Sequence, residues 1–426
     1  MRHSGMFLLG VLLIAFAARA GALWIWSENL KDDRDVYLAL AEGIAAGRGF
    51  SVPGSDVPTA YRPPGYPLLL AITGTSGSAG GRGLLHLLLG TGTVWMTYLL
   101  GRRLSLDAPH ALLAAVLVAI DPLLLRYATF PMTETLVTLL TTALLWAIAA
   151  EPNLRRQILM GVLFGFSVLT RPTLWAFGGL LLLRRMAGLW RGVRSGRDRS
   201  VRERLVQLPW VTLGVVALSV SPWVVRNWLV LGHPVLMTTH GGYTLLLGNN
   251  PAFYREVVEQ PWGTVWDGSV GGGQAKWVES LIREMDEAGV AGEVAQDQWM
   301  GRRAREHILA EPELFVRACL LRLRRFWSLS PGGADTAAVP SALRVPLAMF
   351  YGATFLLAAV GLYRALRVDS SRWLPAILLM AAFTAVHLVY WSNARMRAPV
   401  VPVVAVLAAR AMTGRFEQRA TGNAPD

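Results

Sequence analysis

Charged side chains are scarce in this chain of 426 residues. Asp, Glu, Lys and Arg make up 16 % of it, where soluble proteins carry about 25 %. Set against 53 % hydrophobic residues and a mean hydropathy of +0.40, that shortage excludes the two or three soluble domains that length alone suggests. Cysteine is nearly absent. The single Cys319 rules out an intrachain disulfide and leaves the redox compartment open. Sequence repeats and metal-ligand spacings are missing as well. Acidic residues are outnumbered, 28 against 41 basic, giving a net charge of +13. Such a balance invites a nucleic-acid reading, but most arginines stand in short blocks at the ends of apolar segments. The positive-inside rule of membrane proteins puts them there.

What is present is a series of apolar runs near membrane-spanning length, and these predict an all-α polytopic membrane protein with about ten transmembrane spans. Residues 6–27 form the first, entering from the cytoplasm. Ala18-Arg19-Ala20 loosely matches a cleavage site. The charged leader is only Arg2 and His3, however, and the apolar run resumes through Trp24 and Trp26, so an uncleaved anchor is expected. On either alternative the chain after Trp26 lies outside. Spans at Leu84–Gly101, Pro109–Leu125 and Pro131–Ala150 follow, with residues 67–81 a loop or partly inserted segment. Residues 184–206 carry eight arginines against Asp198 and Glu203 and belong inside, as do Arg155 and Arg156. The run 157–183 must then cross twice, turning at Arg171-Pro172. Leu208–Val225 and three C-terminal spans, about 343–363, 373–391 and 398–412, complete the set.

This gives an N-terminal transmembrane core at 1–227 with its first outer loop at 28–66. An extracytoplasmic region at 228–342, C-terminal spans at 343–412 and a cytoplasmic tail at 413–426 follow. Within 228–342, residues 293–310 and the stretch after Pro312 read as helices, the second resting at the lipid interface.

Chemistry concentrates in the first outer loop. Three aspartates, Asp32, Asp33 and Asp35, precede a short helical pattern that Gly47-Arg48-Gly49 stops. A proline-stiffened hook follows, Tyr61-Arg62-Pro63-Pro64-Gly65-Tyr66-Pro67. Arg62, Arg126, Arg171, Arg226, Arg395 and Arg397 all fall on the outer side, each at a span end. Arginines gathered at one membrane depth can bind a phosphate through paired hydrogen bonds; singly, each also suits a lipid contact or a snorkelling side chain. The aspartates either cap the following helix or supply one general base. A phosphate leaves without being protonated, so sugar transfer from a lipid phosphate needs no second carboxylate. Glu134, just inside the fourth span, is an intramembrane carboxylate and a functional candidate, or a partner for Arg126. His86 and His387 read as buried polar contacts, and His240 near Tyr243 stands on the outer side.

The ordered set Asp33…Tyr37…Gly47-x-Gly49-Phe50, Arg62-Pro63-Pro64-Gly65-Tyr66-Pro67, Thr133-Glu134, Leu169-Thr170-Arg171-Pro172, Pro222-Trp223-x-x-Arg226-Asn227, Gly248-Asn249-Asn250-Pro251 and Arg395-x-Arg397-x-Pro399-x-x-Pro402 resembles the GT-C-fold glycosyltransferases. It is most similar to the bacterial branch related to protein O-mannosyltransferases and the lipid A aminoarabinose transferase. The resemblance implies a bacterial inner-membrane enzyme with its active site on the extracytoplasmic face and a polyprenyl-phosphate-linked sugar as donor. It implies a catalytic aspartate, Asp33 or, second, Asp35. Donor phosphate contacts would come from Arg62, with Arg171, Arg395, Arg397 and Arg126. Asp32, Tyr37, Tyr61, Tyr66, Glu134 and Arg226 would support them. It leans toward no metal, although two nearby aspartates would suit a divalent ion. Arg34 stands where many relatives have an acidic residue. Partners expected are the lipid-linked donor, membrane lipids and an acceptor of unknown kind, with no nucleic acid. A transporter or flippase for lipid-linked glycans, or a non-catalytic accessory protein, is the alternative; a transporter predicts inverted repeats and a polar path, and the sequence shows neither.

Overall fold

The computed structural model describes residues 2–151, 153–194, 209–330 and 340–413. Most of the arginine-rich loop and nearly all of the expected cytoplasmic tail lie outside the described residues. Among the described residues the architecture is helical throughout, with one isolated bridge between Ser51 and Pro58.

Every expected passage falls on a helix, but the helices are unequal. Among the described residues five are long and apolar enough to cross a membrane: α1 (Arg2–Ile25), α4 (Ala79–Arg103), α10 (Trp210–Leu231), α15 (Ser341–Val368) and α16 (Ser370–Val389). The other five expected passages correspond to α5 (Ala108–Ala119), α7 (Glu134–Ile148), α8 (Leu154–Thr170), α9 (Leu174–Arg194) and α17 (Val401–Met412). At 1.5 Å per residue, the 12 residues of α5 or α17 and the 15 of α7 fall short of a ~30 Å hydrocarbon layer. So the count of ten is not reached by length and composition. Sequence chemistry explains the shortness. Asp121 ends the expected third span early and caps a separate short helix, α6 (Pro122–Tyr127), accepting from the Leu124 N–H at 2.9 Å. Helix α17 is buried along almost its whole length, as is most of α7. Helix α17 packs chiefly against α15 and α5, and α7 against α4 and α8.

The break predicted at Arg171 is present: α8 ends at Thr170 and α9 starts at Leu174. The stretch expected as loop or partly inserted segment instead opens with a helix, α3 (Gly65–Ile72), whose Tyr66 and Leu70 are fully buried. Its prolines preset the first turn, and Thr73-Gly74 stops it, Gly74 having φ +65°. Gly65 cannot be exchanged cheaply, since a Cβ there would stand 2.6 Å from Thr170 Oγ1 and 3.0 Å from the Leu169 backbone. That close approach seats the hook on the end of α8.

The outer region folds as α11 (Gly241–Leu247), α12 (Gly273–Glu287), α13 (Glu293–Ala310) and α14 (Pro312–Phe326). The last two match the sequence reading in extent. On α14 Ala318, Arg322 and Phe326 face inward. Arg322 is 1 % exposed and donates to the carbonyls of Gly248 and Val389 and to Asn249 Oδ1. It draws the helix round to satisfy a buried charge.

Candidate active site

Helix α2 (Tyr37–Ala45) follows the aspartate cluster. Its start is unusual, with Val36 at φ +66°, a left-handed conformation costly for a β-branched residue. Asp33 secures it: Oδ1 accepts from the Leu38 N–H at 3.0 Å and Oδ2 from the Ala39 N–H at 2.9 Å. Both oxygens thus serve orphan donors of the first turn. Asp32 is exposed and pairs with Arg34 at 2.6 Å.

Asp35 faces the other way. Its Oδ1 lies 3.3 Å from Arg62 Nη2, its main-chain carbonyl accepts from Arg62 Nε at 3.0 Å, and Oδ2 accepts from Arg395 Nη1 at 3.0 Å. Burial works against the Asp35 carboxylate, but Arg395 and Arg62 together outweigh it and hold its pKa below the usual aspartate value. Arg395 also reaches Glu134, with Nε 3.8 Å from Oε1. Burial alone would favour its neutral form; Glu134 and then Asp35 reverse that and raise its pKa. Glu134 is 2 % exposed and pairs with Arg171 at 3.3 Å. Its partners are therefore Arg171 and Arg395, not the Arg126 that sequence proximity suggested. Oε2 of Glu134 and Nε of Arg395 are buried without a hydrogen-bond partner.

Four segments meet here: the expected first outer loop with its hook, the start of α7, the α8–α9 break and the 3₁₀ turn Ala394–Val400. Tyr37 and Tyr61 flank Arg62, with ring centroids 5.8 and 4.9 Å from its guanidinium carbon. Tyr66 packs edge-on against Tyr37 and shares a 2.7 Å hydrogen bond with His86.

Three candidate arginines stand elsewhere. Arg397 donates to the carbonyls of Phe326 and Ser328, at 3.1 and 2.6 Å, beneath the Tyr351 ring. Arg226 donates to the carbonyls of Thr59 and Phe50 and stacks on Trp223. Arg126 lies over the rings of Trp26 and Phe130. The Trp223 indole N–H reaches the Met237 carbonyl and Asn227 the Val235 carbonyl, so the Pro222–Asn227 motif fastens the hook loop to the segment before α11. His86 and His387 are buried, as expected.

Sequence reasoning missed Glu293, at the start of α13. Its carboxylate accepts from Thr59 Oγ1 at 2.5 Å, from the Ala60 N–H at 2.7 Å and from Thr239 Oγ1. No local signal marks it, because its partners lie more than 50 residues away. Arg19, deep in α1 and 1 % exposed, was read only as part of a cleavage-like triplet. It donates to the carbonyls of Val118 and Ala119 at the end of α5, where helix carbonyls are unsatisfied.

Among the described residues no three His, Cys, Asp or Glu side chains converge on one point. Asp33 is held by main-chain N–H groups and Asp35 by arginines.

Comparison with known proteins fits this frame. Residues 62–225 match the family model of dolichyl-phosphate-mannose-protein mannosyltransferases. No curated protein sequence matches the chain. Among solved structures, it is similar to the oligosaccharyltransferase of Archaeoglobus fulgidus in complex with Zn and sulfate, with a TM-score of 0.50 at 17 % identity, over 95 % of this chain and 48 % of that one. The apo form of the same enzyme gives 0.49 at 18 % identity, over 94 % and 50 %. The chain spans about half the length of the structures it matches. Family model and fold agree with the resemblance carried by the motifs: this is an all-α membrane protein similar to the GT-C glycosyltransferases that use polyprenyl-phosphate sugars.

Proposed function

We propose that the protein is an inverting membrane glycosyltransferase, moving a sugar from a polyprenyl-phosphate donor to an acceptor on the outer side of a bacterial cytoplasmic membrane. The observation that supports this most is the convergence of Asp35, Arg62, Glu134, Arg171 and Arg395 from four separate segments. Three guanidiniums against two carboxylates leave one net positive charge at the lip of the helical core. A departing phosphate is what such an excess would stabilise.

In the reaction, the acceptor hydroxyl oxygen attacks the anomeric carbon of the donor sugar. The bond from that carbon to the phosphate oxygen breaks, and its electron pair leaves on the polyprenyl phosphate, met by Arg62, Arg171 and Arg395. The acceptor's proton passes to an aspartate, and the anomeric configuration inverts. Asp33 is the base in this reading. Helix α2 fixes both its oxygens in place, each with a lone pair to spare. Asp35 and Glu134 hold the arginines in register until phosphate shares them.

One observation favours a second reading. Asp33 is bonded like a structural cap, while Asp35 touches the arginines directly. Comparing Asp33→Asn with Asp35→Asn separates the two: the base variant loses turnover with donor binding intact, whereas the clamp variant changes donor affinity as well. Equal sugar transfer by Asp33→Asn and the unaltered protein would remove Asp33 from the mechanism.

A further inference from the structure

Starting at Arg62, a row of aromatic rings runs away from the charged cluster and over the outer region. The Tyr61 ring lies 4.9 Å from the Arg62 guanidinium carbon and 4.3 Å from the His240 ring. His240 stacks on Tyr243 at 5.1 Å and 26°, and Tyr243 approaches Trp277 at 6.2 Å. The four come from the hook, the N-terminal end of α11, its first turn and α12, and all four are half-buried. Glu293 grips Thr59, Ala60 and Thr239 on either side of Tyr61 and His240. Asp297 accepts from the Gly242 N–H at 2.6 Å. The row is thus fixed from beneath by α13.

We propose that this row is the acceptor subsite and that the acceptor is a carbohydrate, an inference that rests on the glycosyl-transfer reading above. Rigid aromatic rings with polar edges suit a sugar, which presents C–H faces ringed by hydroxyls. Tyrosine and tryptophan also supply contact area at little cost in side-chain entropy. The His240 imidazole is neutral: burial first, and then Arg62, push its pKa down to about 3. Its Nδ1 is buried without a partner. The four rings of the row are thus themselves uncharged, with Asp35 and Glu293 in electrostatic reach, and such a face fits a neutral glycan better than a phosphorylated lipid head group. A polypeptide acceptor commonly docks by adding a strand to a sheet edge, and the described residues contain only the Ser51–Pro58 bridge.

The test uses the full-length protein in detergent, a panel of polyprenyl-phosphate donors labelled in the sugar, and a membrane extract as acceptor source. Linkage analysis of the labelled product asks what the new glycosidic bond joins. Label attached to another sugar residue is the expected result. Attachment to serine, threonine or a non-sugar lipid overturns the inference and leaves glycosyl transfer standing. No labelled product and no sugar released to water would remove the transfer reading, and the inference with it. In the same assay Trp277→Ala should raise the acceptor KM about tenfold and lower kcat less. Trp277→Phe, which keeps a ring, should restore most of the difference and so separate a lost contact from misfolding. An acceptor KM unmoved by both Trp277→Ala and Tyr243→Ala would also overturn the subsite.

Discussion

Arg62, Arg171 and Arg395 end on carboxylates, whereas Arg226, Arg322 and Arg397 end on main-chain carbonyl oxygens. The two sets share a residue type, yet their chemistry differs. A guanidinium that fills carbonyl groups of several segments is a bolt, and withdrawing it strands buried acceptors. A guanidinium paired with a carboxylate can lend the same fork to a phosphate, with the carboxylate as its resting partner. Proximity to a motif does not distinguish the sets; the identity of the accepting atoms does.

The sharpest way to break that distinction starts with the proposed base. Asp33→Asn should lower sugar transfer by about 10²–10⁴-fold, the range for a lost general base, while labelled donor still binds. Next, Arg395→Ala should cost about 10²–10³-fold in kcat, as for a lost donor to a developing anion, and Arg395→Lys should recover part of it. If Arg226→Ala impaired kcat as much as Arg395→Ala at equal thermal stability, the two sets would not be different in kind. Third, Arg322→Ala should lower stability by about 1–3 kcal/mol by stranding buried acceptors, measured by thermal unfolding in detergent, with little change in kcat of the folded fraction.

Two smaller effects sharpen the comparison through pH and exposure. His240 has a folded pKa of about 3 against an ordinary 6.5, so below pH 6.5 the unfolded chain binds a proton that the folded one refuses. Stability conferred by the neutral ring is complete above 6.5 and declines as pH falls toward 3. Asp35, with its lowered pKa, behaves differently: its contribution persists down to the ordinary aspartate range and is lost only below it. His240→Gln should therefore flatten the fall of the unfolding temperature between pH 6.5 and 4; a gap between variant and parent that does not change with pH would contradict this. Finally, Asp32→Ala, breaking an exposed pair with Arg34, should move stability by no more than about 0.5 kcal/mol.

Much of this molecule was legible in its sequence, and the limits have physical causes. Hydropathy and arginine placement located the apolar helices because both are local properties. They do not fix the number of full spans, because an apolar helix buried in protein reads like one buried in lipid: α7 and α17 are apolar but only 15 and 12 residues long. The site was readable where residue type alone restricts the options, as with Arg62 beside paired prolines, Glu134 within an apolar run and Arg171 at a helix break. Partner choice was not readable. Arg395 and Arg397 stand two positions apart with similar surroundings, and only the turn of a 3₁₀ segment sends one to Asp35 and the other to the carbonyls near Phe326. Glu293 escaped notice, and Arg322 read only as part of a helix at the lipid interface, for the same reason: their partners are distant in the chain.

The most direct test is sugar transfer by the purified protein. Polyprenyl-phosphate sugars carrying labels would be offered with a membrane extract, in parallel with Asp33→Asn and Arg395→Ala. Label passing to an acceptor from at least one donor, and failing to pass with either variant, is the predicted result. Tight donor binding with no transfer from any donor would contradict it, and would turn the same arginines into the grip of a carrier.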